Sequence, residues 1–378
     1  MTAQTELALP RTRNVITRGI ADGLHLGAQL YASINGEIVA DAAVGESRPG
    51  EPLRPDDLML WLSSCKPVTV VAVMRQVERG RLRLDDPVAQ HIPEFALNGK
   101  EQITVRHLLT HTAGLRGAAM NANGKPWDEV IAEICAARLE PRWVVGETAG
   151  YHASSGWYIL GELVQRLAGM PFAHYLREKI FEPLGMTDSW VGMPHEQFRA
   201  YGRRIAPVYD TSHGSFEQDQ FNNTEAGAVL PRPASGGRGP IRELGRFYEM
   251  LHNRGAGSGA DGSVGARILA PASVEDATRR HRAGSFDKTF GHVIDFGLGF
   301  IINSSAPAED EAAPYGYGPY ASPGTFGHSG ARSSCAFCDP ARGLVVAWAC
   351  NGMPPDAAHQ RRQRAINASI YEDLGFAN

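Results

Sequence analysis

The sequence lacks any run of eighteen apolar residues, the length that a helix needs to cross a lipid bilayer. Its first ten residues include an acidic side chain, Glu6, and no apolar core of signal-peptide length. The net charge is only −4, so the sequence has no basic excess that would point to nucleic acid. We therefore expect a cytoplasmic protein that binds neither membranes nor nucleic acids.

The sequence also lacks a disulfide framework, because its five cysteines are odd in number and widely scattered. Cys335 and Cys338 form a single C-x-x-C pair, and the residues around them favour a strand over zinc binding or redox chemistry. His107 and His111 stand four apart, but without the acid that accompanies such a pair in metalloproteases. We expect a structural role for both histidines and no metal or organic cofactor.

What the sequence has is the composition of a large globular protein, with 43% hydrophobic and 21% charged residues among 378. Alternating apolar residues and turn residues predict strands towards both ends of the chain. Asn35-Gly36 is a strong signal for a tight hairpin. The predicted strands are residues 28–34, 37–44, 296–303, 333–338 and 344–350. We expect the first and last of these segments to share one sheet.

Helical periodicity dominates the middle of the chain. The predicted helices include residues 14–26, a helix that begins at Ser63 or Ser64 and ends at Gly80, and one from Pro240 to Gly255. Residues 207–239 carry little periodicity and predict a long irregular segment. The pattern indicates an α/β (α+β) protein, with a sheet domain from residues 1–58 and 285–378 and a mainly helical domain from 59–284.

The stretch that carries chemistry is Ser63-Ser64-Cys65-Lys66-Pro67. Because Pro67 has no backbone N–H, a helix tolerates it only in its first turn, so the helix begins near Ser63. Residues three apart share a helical face, which lets Lys66 reach the Ser63 hydroxyl, whereas Ser64 cannot face the lysine. The unpaired N–H groups of the helix start would also stabilise an oxyanion. The alternative is that Ser63 only caps the helix and Lys66 is solvated.

Further motifs accompany this turn in a fixed order. They are Leu84-Asp85-Asp86-Pro87-Val88, Thr104 to Leu115, Tyr151, Pro183-Leu184-Gly185-Met186 and Gly327-His328-Ser329-Gly330. Over roughly residues 15–375, the sequence resembles the serine β-lactamases and penicillin-binding proteins, most closely the class C-like branch that also contains esterases and acyltransferases. The resemblance implies a β-lactamase/transpeptidase-like fold: an antiparallel sheet flanked by helices, a mostly helical domain, and an active site between them.

The resemblance also implies catalytic roles. Ser63 would be the nucleophile, and Lys66 together with Tyr151 would take its proton. The backbone N–H groups of Ser63 and Ala331 would form the oxyanion hole. The alternative for Tyr151 is that of an ordinary tyrosine at the start of a helix.

The remaining predicted site residues are expected to bind the substrate. His328, Ser329 and Gly330 stand where the family usually has Lys-Thr-Gly, and esterase-like members often carry the histidine. Ala153 departs from the pattern, which has an asparagine that contacts the side-chain amide of β-lactams. The absence of this asparagine amide favours an ester or thioester over a β-lactam as substrate. An apolar pocket rim could come from Tyr315, Tyr317, Tyr320, Trp127 and Trp157. The alternative is that these aromatic side chains pack in the core or on the surface.

We therefore expect a serine hydrolase with a covalent acyl-serine intermediate, first of all an esterase on a small ester or thioester. The second expectation is a transacylase of secondary metabolism that passes the acyl group to an amine or alcohol without ATP. A β-lactamase or D-peptidase comes third. Ala153 argues against it, and so does the lack of an export signal, because peptidoglycan lies outside the cytoplasm. A catalytically silent member that binds a ligand is the non-enzymatic alternative, and the intact Ser63, Lys66 and Tyr151 argue against it.

Overall fold

The computed structural model describes residues 7–120, 122–258, 264–303 and 316–377. Its largest sheet has eight strands in this part of the chain: β1 (Gly27–Ile34), β2 (Glu37–Arg48), β3 (Glu51–Pro52), β4 (Asp295–Phe296), β5 (Ile301–Ile302), β6 (Phe326–Gly330), β7 (Ser334–Asp339) and β8 (Leu344–Cys350). Their spatial order is β4-β5-β6-β7-β8-β1-β2-β3, and neighbouring strands are antiparallel. The first and last parts of the chain therefore share one sheet, as predicted.

Helices cover the sheet, and nine of the α-helices in the described residues lie between β3 and β4. The α-helices are α1 (Pro10–Ala21), α2 (Lys66–Glu78), α3 (Val105–Leu109), α4 (Trp127–Ala136), α5 (Ser155–Ala168), α6 (Phe172–Leu176), α7 (His195–Tyr201), α8 (Glu225–Val229), α9 (Ile241–His252), α10 (Pro271–Thr278) and α11 (Asp356–Asp373). Short strands outside the main sheet are Met59–Leu60, Trp190–Val191, Tyr209–Asp210, Glu217–Gln218, Gly237–Gly239, Ala256–Ser258, Val264–Arg267, Phe286–Asp287, His292–Val293 and Gly352–Met353.

The main sheet separates two hydrophobic layers, because successive side chains of a strand point to opposite faces. On β8, Ala347 faces the layer that contains α2, α5 and α9, whereas Trp348 faces the layer that contains α1 and α11. Cys335 and Cys338 lie in β7, which confirms the predicted strand, and belong to opposite layers. They are therefore not placed to bind one metal ion together.

Two strand predictions had different outcomes. The Asn35-Gly36 hairpin is confirmed, since these residues have φ of 51° and 85°, as a two-residue turn of this type requires. The single strand predicted at 296–303 is wrong, because the chain reverses between β4 and β5 with Gly299 at φ 70°. A Cβ on Gly299 would lie 2.6 Å from Val70 Cγ2, so this turn packs closely on the helical layer.

The three helices predicted above correspond to α1, α2 and α9, whereas α8 lies within residues 207–239, which were predicted to be irregular. Helix α1 begins and ends earlier than the predicted 14–26, because Pro10 suits a first helical turn and Gly23, at φ 71°, follows its end. Helix α9 packs against β8, β1 and β7, although it lies in the chain region predicted as the helical domain. The division into domains stays a prediction.

None of the helices in the described residues combines the length and the apolar composition needed to span a bilayer. The cytoplasmic location stays a prediction.

Candidate active site

Ser63, the predicted nucleophile, lies in a short 3-10 segment, Leu62–Cys65, that continues into α2. We call this segment the nucleophile turn. Pro67 lies in the first turn of α2, where the missing N–H is tolerated. The turn places Lys66 Nζ 2.9 Å from Ser63 Oγ, as the spacing predicts. Ser63 is partly exposed whereas Lys66 is fully buried, so a substrate can reach the hydroxyl but not the amine.

Two backbone carbonyls hold Lys66. Its Nζ donates to the oxygens of Ala153 at 3.1 Å and of Ala234 at 2.9 Å, and it has no carboxylate partner among the described residues. Burial lowers the pKa of Lys66 to about 7. In the neutral amine, two N–H groups are used by the carbonyls, which leaves the lone pair facing Ser63 Oγ. This arrangement suits removal of the serine proton.

Tyr151 reaches the same hydroxyl from a different segment. Its Oη donates to Ser63 Oγ at 3.1 Å, and its ring centroid lies 5.2 Å from Lys66 Nζ. The ring is buried, and burial raises the pKa of the Tyr151 phenol above its usual range. The phenol is therefore protonated at neutral pH and acts as a hydrogen-bond donor.

Strand β6 lies directly beside the nucleophile turn. Ser64 Oγ donates to the His328 oxygen at 3.1 Å and lies 3.0 Å from Ser334 Oγ, which in turn donates to the Trp61 oxygen at 2.6 Å. A Cβ on Gly330 would lie 2.2 Å from Ser334 Oγ and 2.4 Å from the Trp61 oxygen, so this close approach requires glycine. Ser64 thus connects the turn to the sheet.

His328 is fully buried in β6, with its ring 5.9 Å from that of Tyr151. Burial, aided by the nearby Lys66, lowers the pKa of its imidazole to about 3, so the ring is neutral. Its Nδ1 lies 2.8 Å from the Ser329 oxygen. Because a carbonyl only accepts hydrogen bonds, Nδ1 carries the proton and Nε2 presents a lone pair.

The two predicted oxyanion donors lie at the ends of these elements. Ala331 follows β6 in an exposed turn, and Ser63 lies in the 3-10 segment. Neither backbone N–H donates to another described residue, so both are available to a substrate oxygen. Ser329 pairs with Cys335 and alternates to the face of β6 opposite His328. Its side chain therefore points away from the nucleophile turn.

The expected rim of Trp157 and Tyr317 is wrong, because both rings are buried. Trp157 lies beneath the lysine, with Lys66 Nζ 5.3 Å from its ring. Tyr317 packs against Phe337, 4.9 Å away, in the layer that contains α11. Tyr315 lies outside the described residues.

The other aromatic residues of the expected rim pack within the fold. Trp127 lies 5.8 Å from Phe172, and Tyr320 lies 6.5 Å from Tyr371. The ring that flanks the site is the half-buried Phe290, 4.8 Å from Tyr151, which sequence reasoning missed.

The predicted structural role of the two histidines is confirmed. His107 Nδ1 accepts from the Thr104 N–H at 3.2 Å and caps α3, and His111 Nδ1 accepts from the His152 N–H at 3.0 Å. No group of three or more His, Cys, Asp or Glu side chains in the described ranges is arranged to hold a metal ion.

Several other contacts of the site were missed from the sequence. Ala153 and Ala234 act through backbone carbonyls, which every residue has, so no residue type signals them. Ser334 lies four positions after Gly330, the last residue of the His328-Ser329-Gly330 motif. The pairing of β6 with β7 places it opposite Gly330 and within reach of Ser64. Its place in the strand after the motif was the available signal.

A serine and a lysine three residues apart at the start of a helix, beside an antiparallel sheet and a tyrosine, define the active-serine class of β-lactamase/transpeptidase-like enzymes. A sequence profile described as Beta-lactamase matches residues 12–369. Esterase EstB of Burkholderia gladioli is 30% identical over 354 residues, which cover 85% of this chain and 84% of that protein.

Solved structures agree with this class. A penicillin-binding protein homologue from Caulobacter crescentus superposes with a TM-score of 0.77 and 29% identity, covering 97% of this chain and 99% of the other. A family VIII carboxylesterase gives a TM-score of 0.77 and 25% identity at the same coverage, 97% and 99%. The chain belongs to the serine β-lactamase and penicillin-binding protein family, and it is a serine hydrolase with the fold of that family.

Proposed function

We propose that this serine hydrolase is an esterase that cleaves small esters or thioesters through an acyl-enzyme on Ser63. The observation that carries the proposal is that Lys66 Nζ, at 2.9 Å, and Tyr151 Oη, at 3.1 Å, converge on the one partly exposed hydroxyl. The similarity to an esterase at 30% identity and to a carboxylesterase at 25% supports an ester substrate.

In the proposed first step, Ser63 Oγ bonds to the substrate carbonyl carbon while the neutral amine of Lys66 accepts the serine proton. The carbonyl oxygen becomes an oxyanion between the N–H groups of Ser63 and Ala331. Loss of one such donor typically costs about 10²–10³-fold in rate.

The intermediate then collapses, and the bond to the alcohol or thiol breaks. Tyr151, which burial keeps protonated, donates its proton to the departing oxygen or sulfur and regains one from the Lys66 ammonium. Water attacks the acyl-enzyme in the second step, and its proton passes to Lys66. The bond from the acyl group to Ser63 Oγ then breaks, and the Lys66 ammonium returns this proton to Ser63 Oγ. Atoms and protons then balance over one cycle, which releases the acid and the alcohol or thiol.

Ala153 supports an ester rather than a β-lactam as substrate. Its side chain has no amide that would bind the side-chain amide of a β-lactam, and its carbonyl oxygen already accepts from Lys66 at 3.1 Å. The residue is exposed, so its small side chain leaves room beside the nucleophile.

Intact-protein mass spectrometry with a short-chain p-nitrophenyl ester tests the proposal. The parent protein should gain the acyl mass and lose it in buffer, Ser63→Ala should gain none, and the matched control Ser64→Ala should still be acylated. Labelling of Ser63→Ala would show that another residue is the nucleophile. An adduct that clears only after an amine or alcohol is added would replace the esterase by a transacylase. A parent protein that neither gains the acyl mass nor releases p-nitrophenol would indicate a ligand-binding member of the fold.

A further inference from the structure

Tyr151 lies in a segment without helix or strand, yet its hydroxyl must stay within hydrogen-bond distance of Ser63. A distant segment, residues 287–290, runs alongside it, and we call this segment the tyrosine clamp. Asp287 pairs with Ala149 in a short parallel bridge, and the Lys288 N–H donates to the Ala149 oxygen at 3.0 Å. The clamp is therefore joined to the residues that lead into Tyr151.

The clamp holds Tyr151 itself at three points. Asp287 Oδ1 accepts from the Tyr151 N–H at 3.0 Å, and Thr289 Oγ1 donates to the Tyr151 oxygen at 3.0 Å. The Phe290 ring centroid lies 4.8 Å from that of Tyr151. The N–H, the carbonyl oxygen and one side of the ring of Tyr151 are thus held by three residues of one four-residue segment.

Asp287 is in turn held by its own partners. Its Oδ1 also accepts from the N–H groups of Thr289 at 2.9 Å and Phe290 at 3.2 Å, and its Oδ2 accepts from Arg282 Nη2 at 2.8 Å. Asp287 is fully buried and the Arg282 side chain is 4% exposed. Because a buried charge without its partner is costly, the carboxylate has little freedom to leave this position.

Arg282 extends the connection to the other side of the tyrosine. Its Nη1 donates to the Thr110 oxygen at 3.0 Å. The next residue, His111, packs its ring 4.8 Å from that of Tyr151 and accepts from the His152 N–H at 3.0 Å. The buried ion pair of Arg282 and Asp287 therefore connects the tyrosine clamp on one side of Tyr151 with the residues before His111 on the other.

We propose that Asp287 and Thr289 are positioning residues for the Tyr151 hydroxyl, which set its distance from Ser63 without touching the substrate. The inference rests on the proton-donor role proposed above for Tyr151. A misplacement of about 1 Å can cost about 10²-fold in rate. Loss of the clamp contacts should therefore lower kcat more than it raises KM.

A double-mutant cycle in kcat with a short-chain p-nitrophenyl ester tests this proposal. Thr289→Val keeps the shape of an exposed residue and should lower kcat about tenfold, and Asp287→Asn should lower it about a hundredfold. In the Tyr151→Phe background, either change should lower kcat by less than about twofold, because the hydroxyl that they position is absent. Thr278→Val removes a hydroxyl that donates at 2.8 Å to the Val274 oxygen in α10, and as the control it should leave kcat unchanged.

Equal losses of kcat in the parent and Tyr151→Phe backgrounds would overturn the proposal, because the contacts would then support the fold rather than the tyrosine. Thermal melting identifies any variant that does not fold, and Thr289→Val carries the test if Asp287→Asn fails. If Tyr151→Phe kept full kcat while Ser63→Ala had none, the role of Tyr151 and this inference would both fall. The acyl-enzyme on Ser63 would still stand.

Discussion

The two halves of the site are built in different ways. The nucleophile half, Ser63 and Lys66, lies within one turn, and its 2.9 Å contact spans three residues. The tyrosine half depends on an irregular segment whose backbone is held by Asp287, 136 positions later in the chain. The first half therefore depends on local helix geometry, whereas the second depends on tertiary packing. Changes in the first should affect chemistry directly, and changes in the second should act through position.

After the loss of turnover expected for Ser63→Ala, the largest effect is expected from Lys66→Arg, which removes the proposed base of the nucleophile half. A guanidinium is not deprotonated in proteins, so this change keeps a positive charge and removes the base. We expect kcat to fall on the order of 10³-fold, measured as p-nitrophenol release per folded enzyme.

Lys100→Arg is the matched control for this variant. Lys100 is also fully buried and donates to a backbone carbonyl, that of Cys135 at 2.9 Å, but it lies outside the site. Its replacement should lower the melting temperature and leave kcat of the folded fraction unchanged. Equal losses of kcat in both variants would contradict a role of Lys66 as base.

A smaller effect is expected from Gly330→Ala, which moves the sheet away from the nucleophile half. The added Cβ would lie 2.4 Å from the Trp61 oxygen, so β6 and the turn must separate. We expect about 1–3 kcal/mol of destabilisation from overpacking. The displaced Ala331 N–H should lower kcat by about tenfold to a hundredfold, since a lost oxyanion donor costs up to about 10³-fold.

Gly324→Ala is the control, because a Cβ there has no atom within 4 Å. Urea unfolding and kcat should both match the parent protein. A Gly330→Ala protein with full kcat would show that the approach of β6 to the turn does not matter for catalysis.

The pH dependence of kcat/KM should distinguish the two halves by their titrating groups. Lys66 must be neutral to accept a proton, and burial lowers its pKa to about 7, so activity should rise with pH up to about 7 and fall about tenfold per unit below it. His328, with a pKa of about 3, titrates below this range. The raised pKa of Tyr151 predicts no loss of activity just above neutrality. A flat profile between about pH 5 and pH 8 would contradict the lysine base.

The lowered pKa of Lys66 also makes the stability of the fold depend on pH. Because the pKa of Lys66 falls from 10.5 to about 7 on folding, the unfolded chain binds more protons between these values. The free energy of unfolding should therefore gain a contribution from Lys66 that rises with pH across this window. In Lys66→Met, which does not titrate, this contribution should be absent.

The contrast between the halves also explains what the sequence could predict. The contact of Ser63 with Lys66 follows from helical spacing and from Pro67, so it was predictable. The carbonyl of Ala234 and the carboxylate of Asp287 were not, because long-range packing brings them to the site and their residue types are common.

The same division applies to the fold. The hairpin at Asn35-Gly36 and strand β8 were predictable, since turn residues and buried β-branched residues act locally. The reversal between β4 and β5 was not, because it depends on Gly299 packing against Val70 and Trp157, contacts that become visible only in the assembled layers.

The smallest effect on rate is expected from Ser64→Ala, which removes the hydroxyl next to that of Ser63. Ser64 Oγ contacts the His328 oxygen at 3.1 Å and Ser334 Oγ at 3.0 Å, so its loss should cost about 1–2 kcal/mol of stability through unsatisfied buried groups. Because it does not contact Lys66 or the substrate, kcat should fall less than about tenfold, whereas Ser63→Ala should lose turnover and keep its melting temperature. If Ser64→Ala folded and lost turnover as fully as Ser63→Ala, the helical-spacing argument for the nucleophile half would fail.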